Sequence, residues 1–69
     1  MITVTPEQIQ ELTALRGWSH ADACTEIARA CFVHPRSVER WIKNGCKRSA
    51  AAKRILAMLE QARRKEGAA

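Results

Sequence analysis

No run of this chain approaches the roughly 20 consecutive apolar residues of a membrane-spanning helix, so no transmembrane segment is expected. The opening residues, Met1 to Pro6, have no charged region followed by an apolar stretch, so they do not read as a secretory signal. The expectation is a cytoplasmic protein. No strand-like alternation, internal repeat or low-complexity linker appears, and no glycine-rich phosphate loop. Ser19, His20 and Asp22 are near neighbours in sequence, but catalytic groups must converge in space, and nothing here supports an enzyme.

Cysteine is sparse and odd in number: Cys24, Cys31 and Cys46. Without a secretory signal, that argues against a disulfide framework. Cys24 and Cys31 are seven apart, share one face of a helix and read as small core hydrophobes. His20 and Cys24 are four apart, a spacing that could chelate a metal. Zinc asks for four well-placed ligands, however, and no CxxC or HxxxH spacing exists. Neither a metal nor a cofactor is expected. Cys46 follows Gly45 in an expected loop and reads as the most reactive thiol.

What is present is a short, unevenly charged chain. Its 69 residues suit one domain. A chain this short buries only about 60% of its unfolded surface, so the core is small and stability is about a few kcal/mol. The net charge is +5, but residues 1–33 carry −2 and residues 34–69 carry +7. A basic second half points to a polyanionic partner, although it also serves plain solubility.

Local signals predict an all-α domain with four helices, at about 5–16, 20–31, 35–43 and 50–65. Thr5, Pro6 and Gln8 make a Thr-x-x-Gln capping box with proline at the first helical position. Ile9, Leu12 and Leu15 form an apolar stripe, Gly17 stops the helix, and Trp18 reads as core at the corner. Ser19 is the next cap, with Asp22 in the first turn. Cys24, Ile27, Ala28 and Cys31 face inward. Phe32-Val33-His34 is a short break, and Pro35 fits the first turn of a third helix with Val38, Trp41 and Ile42 inward. Asn44-Gly45 ends it. Ser49 is expected to cap the last helix, whose apolar face is Ile55, Leu56, Met58, Leu59 and Ala62, with Arg63-Arg64-Lys65 at its solvated end and Gly67 just beyond.

Residues 27–41 carry the most information. Two helical patterns meet there across a very short break, with the small Ala28 where crossing helices would touch. That layout suits a helix-turn-helix, in which a second helix is presented to the major groove of DNA. The segment from Thr5 to Leu59 resembles the Cro/repressor-type helix-turn-helix domains of phage and bacterial regulators. The match is densest at Ile27-Ala28 and from Val33 through Trp41 to Gly45. Relative to Ala28, the family's apolar positions fall at Ile27, Cys31, Val33, Val38 and Trp41, and all match. Two departures stand out. Phe32 occupies the place where the family carries a glycine at positive φ, which is costly for a bulky residue and implies a reshaped turn, with the ring filling a hydrophobic gap. The stretch from Ser19 to Trp41 is also about one helical turn longer than expected for the family, read as an extension of the second helix. Many relatives place a phosphate-contacting Gln near the start of that helix; here His20 is only a substitute candidate.

The resemblance implies a sequence-specific regulator of transcription, a repressor or autoregulator of phage or mobile-element type. It would bind double-stranded DNA at a palindromic operator. Arg36 and Arg40, four apart on one helix face, suit guanine edges, and Glu39 suits a cytosine amine or the orientation of either arginine. His34 and Ser37 suit phosphate or base. Lys43, Asn44, Lys47 and Arg48 suit backbone phosphates, with Lys53 and Arg54 extending the track. A homodimer is expected through helix 50–65, if Ile55, Met58, Leu59 and Ala62 exceed what one small core can cover. The alternatives are a protein-binding inhibitor module on the same scaffold, or an architectural, excisionase-like DNA binder.

Overall fold

Thr5 sets where the first helix begins. Its hydroxyl accepts from the Gln8 amide at 3.2 Å, and the Gln8 side chain accepts from the Thr5 amide at 2.9 Å. This reciprocal box, with Pro6 behind it, starts α1 (Pro6–Arg16), and Gly17 closes it in the left-handed region at φ 70°. Ser19 starts α2 (His20–Cys31) by accepting from the Asp22 amide at 3.1 Å. His34 starts α3 (Pro35–Asn44), its Nδ1 accepting from the Arg36 amide at 3.1 Å. The last helix is α4 (Ser49–Gly67). The structure, a computed structural model, describes residues 1–67, with side chains through residue 65.

The four-helix, all-α architecture is as expected, with differences at the ends. Ser49 is the first residue of α4, not its cap; the Arg48 carbonyl accepts the first helical bond, from Ala52 at 2.8 Å. That helix also runs on through Gly67 rather than stopping before it. No helix among the described residues is long and apolar enough to cross a membrane.

One core joins all four helices. Ile9 and Leu12 of α1, Ile27 and Ala28 of α2, Val38 and Trp41 of α3, and Ile55, Leu59 and Ala62 of α4 are buried in it. Both α1 and α2 pack against α3 and against α4. Trp18 is half-buried against the cluster. The stripe on α4 is thus largely covered within the chain, leaving only Leu56 and Met58 half-buried. The apolar surplus that suggested a dimer through helix 50–65 is spent on α1 and α2.

The thiol expected to be reactive is instead sealed. Cys46 is fully buried and pairs with Val4 as an isolated antiparallel bridge, with N–H···O distances of 2.9 and 2.8 Å. Its thiol donates toward the Arg48 carbonyl at 3.7 Å. This bridge ties the N-terminal segment to the α3–α4 connection. All three cysteines are free thiols.

The turn between α2 and α3 keeps left-handed geometry despite its residue. Phe32 sits at φ 57°, ψ 45°, and the Val33 amide bonds back to the Ala28 carbonyl at 3.0 Å, as in a glycine-capped helix end. The ring fills no gap; the residue is 81% exposed, and the Arg54 guanidinium lies over the ring at 5.1 Å from its centroid. Backbone strain of about 1–2 kcal/mol is therefore offset in part by an exposed cation–π contact of about 0.5–1 kcal/mol. Phe32→Gly is expected to leave thermal stability within about 1 kcal/mol of the parent. A loss of about 3 kcal/mol or more would mean that the ring supports a core.

Candidate nucleic-acid interface

The third helix divides cleanly between a packed face and a charged one. Val38 and Trp41, three residues apart, are buried, while Arg36, Glu39, Arg40 and Lys43 project outward and are exposed. His34 and Pro35 fix the start of the helix, and packing on α1 and α2 holds it from behind. A shallow groove of about 280 Å³ is lined by Arg36, Glu39, Arg40, Lys43 and Asn44. Of the residues singled out from sequence, the structure brings these five together. Lys47 and Arg48 follow, both exposed, in the α3–α4 connection. At the other end, His34 is exposed but commits Nδ1 to its capping role, and Ser37 is half-buried, its amide bonded to the His34 carbonyl at 2.9 Å.

Charge pairing separates the basic residues into two sets. Among the described residues the ion pairs are Glu11–Arg63 and Glu60–Arg64, and the His20 imidazole lies 3.9 Å from the Glu39 carboxylate. The cations at the end of α4 are thus largely engaged at home, in keeping with a solvated helix end. Arg36, Arg40, Lys43, Lys47 and Arg48 have no acidic partner among the described residues, so their charge is available to a polyanion. The Arg54 guanidinium, expected to extend the phosphate track, lies over the exposed Phe32 ring at 5.1 Å from its centroid.

Glu39 behaves differently from its sequence reading. Its Oε1 faces His20 Nε2 of α2 at 3.9 Å, and the pairing with Arg36 or Arg40 that its position suggested is not formed. His20 in turn approaches the Cys24 thiol at 3.8 Å. Cys24 is buried, and burial first, then the Glu39 carboxylate, raises its thiol pKa. Burial likewise raises the half-buried Cys31, with Cys46 adding to the effect and Arg54 opposing it. Both shifts favour the neutral thiol, in keeping with packing as small apolar residues, Cys24 in the core and Cys31 against it.

No family model, curated protein or solved structure matches this chain. The functional reading therefore stands on the arrangement of its own side chains.

The pairing of α4 with α1 is testable apart from any ligand. Arg63 Nε donates to Glu11 Oε2 at 2.6 Å and a second guanidinium nitrogen donates to Oε1 at 2.8 Å. The hydrogen bond to Arg63 holds the Glu11 carboxyl below its ordinary value of 4.5. Stability linked to a depressed carboxyl is complete above the unfolded-state pKa and is lost as pH falls through the folded-state pKa, here below about 4.5. In Arg63→Ala, NMR titration should show the Glu11 carboxyl returning toward its ordinary value. An unchanged midpoint would mean that the fork is not populated in solution.

Proposed function

We propose that the chain binds double-stranded DNA through α3 and regulates transcription, as a helix-turn-helix protein of the kind it resembles. The observation that carries this reading is the exposed face of α3, where Arg36, Arg40 and Lys43 border one groove without acidic partners among the described residues, apart from a glutamate held by His20. Two supports come from the backbone. The tight α2–α3 connection takes the left-handed turn that the resemblance calls for, even with Phe32 in place of glycine. Of the apolar positions of that motif, Ile27, Ala28, Val38 and Trp41 are buried, and Cys31 and Val33 are half-buried against the same core.

In this reading Arg36 and Arg40 meet base edges in the major groove, where a bidentate arginine–guanine pair discriminates by about 1–3 kcal/mol. Lys43, Asn44, Lys47 and Arg48 hold the phosphates and set register. His34 keeps Nε2 for a phosphate while Nδ1 caps the helix. Ser37 is a minor contributor, and Glu39, on the same exposed face, suits a cytosine amine. A homodimer through helix 50–65 on a palindromic operator would use the half-buried Leu56 and Met58, since Ile55, Leu59 and Ala62 are covered within the chain.

The salt dependence of binding to a random-sequence duplex tests the electrostatic half of this proposal. With about four to six phosphates neutralised, log affinity should fall with log salt at a slope of roughly −4 to −5. A flat salt dependence, or no binding at low salt, would remove DNA as the partner.

A further inference from the structure

Three donors of different chemistry meet where α2 passes α3. His20 and Cys24 stand one helical turn apart on one face of α2, with His20 Nε2 at 3.8 Å from Cys24 Sγ. Glu39 arrives from α3, its Oε1 3.9 Å from the same imidazole nitrogen. The three potential ligand atoms all lie within 4.8 Å of one another. A tetrahedral zinc ion, with bonds of about 2.0–2.3 Å, holds its ligands roughly 3.5 Å apart. Both contacts to His20 are within about 0.4 Å of that spacing, and rotation of the exposed Glu39 side chain would bring its carboxylate nearer the Cys24 thiol to complete the triangle.

We propose that His20, Cys24 and Glu39 bind a divalent transition ion, Zn²⁺ being the best match, with water as the fourth ligand. The donor set decides the class of ion. A thiolate and an imidazole select against Mg²⁺ and Ca²⁺, which take oxygen, and suit a borderline-soft ion in tetrahedral geometry. Access is from the outer side, because the His20 and Glu39 side chains are 65% and 55% exposed while Cys24 forms the floor. On binding, the Cys24 thiol releases one proton to solvent and its sulfur takes the metal. The neutral Nε2 of His20 and the carboxylate of Glu39 bind without proton loss. A dication beside Cys24 reverses the burial and like-charge effects that hold its thiol protonated. The ion would fasten α2 to α3 and neutralise the one acid that lines the α3 groove.

Titration of the reduced full-length chain with Co²⁺, followed by absorbance, tests the site directly and needs no nucleic acid, so its outcome is independent of the role proposed for α3. One ion per chain should bind, with a thiolate-to-cobalt charge-transfer band, release of about one proton per ion, and displacement by Zn²⁺. Cys24→Ala should abolish the band, whereas Cys31→Ala should retain it. Because Cys24 is a core residue, the exposed positions supply the decisive variants. His20→Ala and Glu39→Gln, with helicity checked by circular dichroism, should each weaken binding on the order of tenfold or more. Absence of the band in the folded parent would overturn the site. So would a band that persists at unchanged affinity in both His20→Ala and Glu39→Gln.

Discussion

Gly45→Ala is expected to cost at least about 3 kcal/mol of folding free energy, while Gly17→Ala costs only about 1–2 kcal/mol. Both glycines have positive φ, at 84° and 70°, but their surroundings differ. A methyl group at Gly17 meets nothing within 4 Å, so only the backbone preference is lost. At Gly45, ψ is 168°, a region essentially reserved for glycine and costing other residues on the order of 1–3 kcal/mol. A Cβ there would also stand 2.7 Å from the Val4 carbonyl oxygen. That oxygen cannot easily retreat, because it accepts from the Cys46 amide at 2.8 Å within a fully buried bridge. The combined cost should reach at least about 3 kcal/mol, against a total of roughly 3–10 kcal/mol for a chain of this length. Urea unfolding followed by far-ultraviolet circular dichroism measures both variants. Equal losses at Gly45 and Gly17 would show that the Val4–Cys46 bridge does not constrain the native chain.

The second large effect concerns recognition. Arg40→Ala should lower affinity for the preferred duplex by roughly 5- to 150-fold, the equivalent of about 1–3 kcal/mol, and relax preference at one base position. Lys47→Ala should weaken all duplexes about equally and reduce the salt slope by about one. The contrast follows from placement. Arg40 stands on the exposed face of α3 beside the groove, whereas Lys47 lies in the connection beyond the helix. If the two variants change affinity and specificity alike, the division between base-reading and phosphate-holding residues is wrong.

Much of the fold was legible because its determinants are local. Thr5 with Gln8, Ser19 with Asp22, and Pro35 each act within one turn, so helix starts could be read from the chain itself. Spacing also gave Cys24, Ile27 and Ala28 of α2 and Val38 and Trp41 of α3 as core, but not the buried Ala23, and Cys31 and Ile42 are only half-buried. What was not legible depends on partners distant in sequence. A cysteine after a glycine looks like an exposed loop thiol, and only pairing with Val4 buries Cys46. The apolar stripe of α4 looked large enough for a second chain, but sequence does not say which helix will cover it. Phe32 in place of glycine implied a reshaped turn with the ring in a gap; instead the left-handed turn persists and the ring stays exposed, with Arg54 of α4 lying over it.

The candidate interface shows the same division. Period and charge placed Arg36, Arg40 and Lys43 on one outward face, and the structure gathers them with Asn44 around a groove. The link from Glu39 to His20 was missed, because the natural partners by spacing were the neighbouring arginines. The signal was partly present in the His20–Cys24 spacing, but the third donor comes from another helix and emerges only when α2 and α3 are packed.

Selection from a pool of random duplexes near physiological salt, carried out in parallel with the parent chain and with Arg36→Ala/Arg40→Ala, is the most direct test of the claim that α3 reads DNA. The parent should enrich one motif, and the double variant should retain salt-dependent binding while losing that motif. Absence of any enriched motif with the folded parent, or the same motif with both proteins, would contradict a reading role for α3.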